Sequence, residues 1–358
     1  MKIINFDGCA VNERNGTYGG MAGSKEGIMY QDDYWIIKYP KSTKGMRTQD
    51  ISYTTAPLSE YIGSHVYKEL GYDVHETLLG IRNGKLVVAC KDFCKNEGSL
   101  REIRTLKNTF NEELENRLQI ELTSTGSQHM VELGEVLIHL ENNPILSKVK
   151  GLEERFWDCA VVDGFINNND RNNGNWGLLY EDGEYKISPI FDNGASFSNK
   201  LSDKQICKRL NNIENLRIGS ISIDTTYGID GKRLKYSELL EYENNNLRKS
   251  ILKNTELFAR NFDKIVTMIS SIPTDYENIF IISEERKEFY LKSMEIRFNE
   301  LILPRYLEIC KEMNIQPSDM VKSISTEDYL HANNFNEIKE TSYSYEIDIE
   351  DDFEDRDI

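Results

Sequence analysis

At 358 residues the chain is long enough to bury a large core and to divide into two lobes. Its 43 Lys and Arg against 60 Asp and Glu leave a net charge of −17, which argues against nucleic acid as the main partner, because binding phosphates takes a basic face. No stretch approaches the roughly 18 to 20 apolar residues of a membrane span, and "MKIINFDGCAVNERNG" lacks the charged-then-apolar pattern of a signal peptide, so the expected location is the cytoplasm with no membrane partner. Six cysteines and five histidines are dispersed without zinc spacing, which points to reduced core thiols.

In chain order, the first 93 residues are strand-rich. "GIMYQ", "YWIIKYP", "HETLLGI" and "KLVVAC" are short β-branched or aromatic runs separated by turn signals, the pattern of an antiparallel sheet. One helix interrupts them in "TTAPLSEYIGSHVYKELGY". A threonine is placed to cap it, Pro57 suits its first turn, Gly71 ends it after Leu70, and Leu58, Ile62, Val66 and Leu70 mark its buried face. From about residue 100 the pattern turns helical in "SLREIRTLKNTF", "QHMVELGEVLIHL", "EERFWDCAVVDGFI", "LRKSILKNTELFARNFDKIVTMISSI" and "EERKEFYLKSMEIRFNELILPRYLEICKEM". A hairpin near residues 176 to 191 is the only strand character expected in that half. Between Glu340 and Ile358 nine acids face one arginine, a composition that cannot bury enough apolar surface to offset the entropy of ordering. The expectation is an α+β, two-lobed chain: a sheet lobe with one helix over residues 1–93, a helical lobe over 94–325 and an acidic, unpacked tail over 326–358.

Four features carry chemistry. "YGGMAGSKEG" holds four glycines between strand-like runs, where backbone amides can cradle phosphate, although a tight hairpin fits as well. Lys38 in "YWIIKYP" shares a strand face with Ile36, where burial is expected, so its ammonium needs an anionic partner unless it snorkels at the strand end. Glu60 on the helix is the candidate, as in the lysine–glutamate pair with which kinases hold ATP phosphates. "KLVVACKDF" breaks from an apolar strand into a polar connector, where free backbone groups can meet an adenine edge.

"FINNNDRNNGNWG", residues 165–177, reads as a turn by composition. A calcium loop is excluded, because Asn173 and Leu179 stand where Gly and Glu are required. What remains is Asp170 with Asn175 five residues on, then Asp192 after a short hairpin. A carboxylate near the attacking hydroxyl, with an amide oxygen and a second carboxylate on Mg²⁺, is the set that phosphoryl transfer requires, in the order protein kinases use.

Together "YGGMAGSKEG", "YWIIKYP", "LSEYIGSHVYKELG", "ETLLG", "VVACKDF", "NNNDRNNGNWG" and "ISPIFDNGASF" resemble the HipA-like serine/threonine kinases, most closely their short, CtkA-type bacterial branch. The resemblance covers residues 18 to 200 by motif and extends to about 325. It implies a two-lobed kinase fold that transfers the γ-phosphate of ATP, with Mg²⁺, to a serine or threonine of a protein or of the kinase itself. Carried over, Gly19, Gly20, Ala22, Gly23, Ser24 and Lys25 form the loop over the nucleotide, and Lys38, partnered by Glu60, contacts the α- and β-phosphates. Backbone groups of Lys91 and Phe93 hold the adenine, Asp170 is the catalytic carboxylate, and Asn175 and Asp192 bind the metal.

Three departures accompany the resemblance. Asn172 stands where members often carry His, Gly20 falls at the place of an autophosphorylated serine, and the additional N-terminal subdomain of longer members does not fit before Gly19, so an antitoxin partner is not implied. Ser196, Ser198 and Ser202 follow Asp192 in the place of an activation segment and are candidate phosphorylation sites. Two other readings keep the same residues: a pseudokinase that binds nucleotide or a partner without catalysis, and a kinase for a small-molecule hydroxyl.

Overall fold

The computed structural model describes residues 2–15, 25–44, 51–94, 99–123 and 130–327. The loop residues Gly19, Gly20, Ala22, Gly23 and Ser24, and the tail beyond residue 327, lie outside the described residues. The chain divides into two compact units, Met1–Ile324 and Ser325–Ile358, and the first carries both the sheet and the helical lobe.

A five-stranded sheet is built from β1 (Ile4–Asn5), β2 (Lys25–Tyr30), β3 (Asp33–Lys38), β4 (Thr77–Arg82) and β5 (Lys85–Lys91), in the order β1-β4-β5-β3-β2. All its pairings are antiparallel as expected except β1, which runs parallel to β4. Alternation along β3 does what the sequence pattern required. Trp35 and Ile37 bury into an apolar cluster with Phe6, Ile28, Val87 and Ala89, which turns Ile36 and Lys38 to the opposite face with their partners Cys90 and Val88.

Helix α1 (Ala56–Glu69) covers that face, with Leu58, Ile62 and Val66 fully buried. Gly71 follows it at φ +86°, a left-handed angle open to glycine. Thr55 does not cap it through its side chain. Its hydroxyl donates instead to the Asn199 carbonyl (3.2 Å), tying the helix start to the segment after Asp192.

The helical lobe starts with an unexpected strand. Leu100–Glu102, expected as the start of a helix, form β6 on the edge of the anticipated hairpin, and α2 (Ile103–Leu118) follows. Likewise Val131–Glu132 form β7 before α3 (Leu133–Asn142). Then come α4 (Leu152–Ile166), the hairpin β8 (Gly177–Glu181) and β9 (Glu184–Ile187), and two short helices, α5 (Asp203–Leu210) and α6 (Ile213–Ile221). A second hairpin, β10 (Asp224–Ile229) and β11 (Lys232–Lys235), corrects the expectation that this half holds only one. "DTTYGI" is short enough that only its pairing with β7 and β11 makes it a strand. Helices α7 (Tyr236–Leu240) and α8 (Asn245–Ser270), a third, two-residue hairpin of β12 (Asp275–Tyr276) and β13 (Ile279–Phe280), and helices α9 (Glu284–Arg297) and α10 (Leu303–Glu312) complete the lobe, α9 and α10 being joined by a π-helical turn at Phe298–Ile302. All six cysteines are free thiols. Among the described residues, no helix is long and apolar enough to cross a membrane.

Candidate active site

Where β3 ends, the Lys38 ammonium lies 2.9 Å from Glu60 Oε2 on α1 and 2.8 Å from Asp192 Oδ1 on the loop after β9. Burial works to lower the lysine's pKa, but the two carboxylates outweigh it and hold that pKa well above the ordinary value. Burial would likewise raise the carboxyls of Glu60 and Asp192, and Lys38 reverses this for both; His75, 3.0 Å from Glu60 Oε1, helps hold Glu60 ionised. Glu60 is 1% exposed at its side chain and Asp192 36%, so the helix acid is a fixed brace and the loop acid is the one open to a ligand.

Lys25 is the register partner of Lys38 across β2 and β3, so the two side chains share a face. Burial, then the charge of Lys38, lower its pKa, and among the described residues it has no ion-pair partner. A second ammonium held near the first without its own acid is suited to an anionic ligand. At the end of β5 the Lys91 amide donates to the Glu76 carbonyl (2.8 Å), so that amide is already spent within the sheet lobe. The Phe93 ring lies 5.7 Å from that of Phe191, the two planes tilted by 40°, an apolar contact joining the connector to the Asp192 loop.

Helix α4 delivers the other half of the site. Its C-cap Asn167 adopts a left-handed φ of 54°, and the chain then turns through Asn168, which donates to Asp163 Oδ1 (2.9 Å), into Asp170. Asn172 donates to Asp170 Oδ1 (2.9 Å) and accepts the Gly174 amide (2.9 Å), so it shapes the loop and fixes one carboxylate oxygen. The Asn175 side-chain amide donates to the Asp170 carbonyl, which spends its nitrogen and leaves its oxygen, the atom a cation would use. The donor set therefore fits Mg²⁺ with a polyphosphate: hard oxygens from Asn175 and Asp192, with two lysines nearby.

The chain matches no family model. It is 32% identical over 307 residues to the serine/threonine-protein kinase CtkA of Helicobacter pylori (strain J99 / ATCC 700824), a match covering 84% of this chain and 87% of that protein. This chain belongs to the CtkA-type serine/threonine protein kinases. The crystal structure of a Helicobacter pylori proinflammatory kinase CtkA superposes with a TM-score of 0.73 at 29% identity, over 87% of this chain and 99% of that one. The HipA–HipB–operator DNA complex of Shewanella oneidensis MR-1 gives a TM-score of 0.48 at 11% identity, over 83% and 67%.

In this CtkA-type kinase the sequence reading missed Arg171, the residue after Asp170. It is 2% exposed and pairs through two nitrogens with Asp163 of α4 (2.8 and 2.9 Å). The same guanidinium reaches the Asn175 carbonyl (3.2 Å), the Phe191 carbonyl and Asn193 Oδ1. An arginine in an Asn-rich loop looks solvated, and only the helical spacing that buries Asp163 one turn before the loop hinted at a partner. Two of the three candidate phosphorylation serines are also corrected: Ser196 is fully buried and donates to the Asn193 carbonyl (2.8 Å), and Ser202 caps α5 by accepting the Gln205 amide. Both are structural; Ser198, half-buried, accepts from Asn167 Nδ2 (3.1 Å).

Proposed function

We propose that the kinase transfers the γ-phosphate of Mg²⁺-bound ATP to a protein serine or threonine hydroxyl, itself included as an acceptor. The observation that carries this reading is the single ammonium of Lys38 bonded to both Glu60 and Asp192, since it draws together a strand, a helix and a loop in the arrangement that phosphate binding requires. Lys38 holds the α- and β-phosphates and is itself kept charged and aimed by Glu60. Lys25 adds a second positive charge for the phosphate chain, and the backbone of Lys91 and Phe93 receives the adenine.

Asp170 accepts the proton of the attacking hydroxyl and sets its direction, with Asn172 holding the other carboxylate oxygen. Asn175 and Asp192 supply the oxygens for Mg²⁺, which when bound neutralises charge on the phosphoryl oxygens. The acid set is complete, which favours this reading over a pseudokinase.

The test is incubation of the full chain with labelled ATP and Mg²⁺, alone and with a generic protein substrate, followed by intact mass and peptide mapping. Incorporation abolished by both Asp170→Ala and Asp192→Ala supports the assignment; incorporation undiminished in either sinks it.

A further inference from the structure

Asp192 sits at φ 60°, a left-handed angle that costs a residue bearing a Cβ and persists where its surroundings over-determine it. Both of its neighbours are held by one side chain. Arg171 donates through one terminal nitrogen to the Phe191 carbonyl and through the other to Asn193 Oδ1, while its Nε and the second terminal nitrogen are anchored on Asp163. The strained residue is thus gripped on each side by a guanidinium that also holds the Asn175 carbonyl.

Asn193 completes the grip toward the sheet lobe. It is fully buried, its backbone amide donates to Glu60 Oε1 (3.1 Å), and its side-chain amide donates to Ser64 Oγ on α1 (3.0 Å). Gly63 makes room for it: a Cβ there would stand 3.0 Å from Asn193 Cβ. In kinases with Asp-Phe-Gly, the apolar Phe after the metal ligand sets the active or inactive state by how it packs. An apolar wedge leaves a pocket without stranding any hydrogen bond. Asn193 cannot, since displacing it would break its bonds to Glu60, Ser64 and Arg171 together and strip its own buried amide groups of their partners.

We propose that Arg171 and Asn193 form a polar latch that holds Asp192 in its metal-binding pose and couples that pose to α1. They are positioning residues, and the proposal rests on the assignment of Asp192 as a metal ligand.

The experiment measures Mn²⁺ binding to the full chain with a non-hydrolysable ATP analogue, from the electron paramagnetic resonance signal of free Mn²⁺, alongside steady-state kinetics in Mg²⁺. Asn193→Leu fills the volume without the hydrogen bonds; Arg171→Lys keeps the charge against Asp163 without the fork. We expect each to weaken Mn²⁺ binding about tenfold or more and to lower kcat, with the KM for ATP at saturating Mg²⁺ changed less than about threefold. The double variant should bind metal no more than about twofold worse than the weaker single, because both remove one latch. Where a variant fails to fold, as judged by its melting transition, Asn193→Ala stands in for Asn193→Leu and Arg171→Gln for Arg171→Lys. Unchanged Mn²⁺ affinity in a folded Asn193 variant, or multiplying losses in the double, overturns the proposal. Asp192→Asn binding Mn²⁺ as the wild type does would instead remove the metal-ligand assignment itself.

Discussion

Lys38 Nζ stands 2.9 Å from Glu60 Oε2, joining β3 to α1 through a pair whose acid side chain is almost wholly enclosed. Removing one partner of a buried pair leaves an uncompensated charge, a change that costs about 3 to 5 kcal/mol in general. Here Asp192 shares the ammonium, so Glu60→Gln should leave a folded protein in which Lys38 leans toward Asp192 and away from phosphate. We expect Mg-ATP, which at 100 times its Kd adds about 2.7 kcal/mol of stability, to raise the melting temperature of the wild type, and this rise to be largely lost in Lys38→Met and reduced in Glu60→Gln. Thermal shift with and without nucleotide measures both.

Asp170 and its neighbour Asn172 separate chemistry from binding. Asp170→Asn keeps the shape and a hydrogen bond to Asn172 but cannot accept a proton, so kcat should fall roughly 10²- to 10⁴-fold with the KM for ATP little changed. Asn172→Ala should lower kcat by a smaller factor, since it removes only the fixing of one oxygen and the Gly174 amide. Initial-rate kinetics against ATP concentration distinguish the two; equal losses in both variants would place the chemistry elsewhere.

Gly164 offers a contest of two magnitudes. In an exposed helix interior, Gly→Ala gains about 1 kcal/mol of helix propensity. A Cβ at Gly164 would lie 1.8 Å from the Tyr236 ring, which is pinned by its hydroxyl donating to the Val161 carbonyl (2.9 Å). Overpacking costs about 1 to 3 kcal/mol, so Gly164→Ala should destabilise on balance, by on the order of 2 kcal/mol. Urea denaturation would reveal it as a lower midpoint with an unchanged slope, and a rise in midpoint would contradict it.

His139 makes stability depend on pH. It is 1% exposed; burial, then the Lys107 ammonium, bring its pKa down to about 4 from 6.5. The folded protein therefore keeps this ring neutral where the unfolded chain protonates it. Its contribution is complete above about pH 6.5 and is lost as pH falls toward 4, on the order of 3 kcal/mol across that window. Melting temperatures between pH 7 and 4 should drop more steeply for the wild type than for His139→Leu, and identical slopes would rule the contribution out.

Much of the sheet lobe was legible because its patterns are local. Alternation in "DYWIIK" puts Trp35 and Ile37 in one core and Lys38 on the other face, and a four-residue apolar rhythm sets the buried side of α1. Asp170, Asn175 and Asp192 stood out as candidates because their order and spacing match a chemistry that needs those groups. Strands β6, β7 and β10 were not legible, since segments of two to six residues become strands through partners far along the chain.

By itself, then, the sequence determined the two-lobed class, the order of the acidic residues and the need of Lys38 for an anion, all consequences of periodicity and of the cost of burying charge. Only the tertiary structure decided that Lys38 would share that need between Glu60 and Asp192, that Ser196 and Ser202 would be spent on packing and capping, and that Arg171 would be a buried clamp. Those outcomes depend on residues brought together across the fold, and a hydrogen bond to a distant carbonyl leaves no trace in local residue pattern.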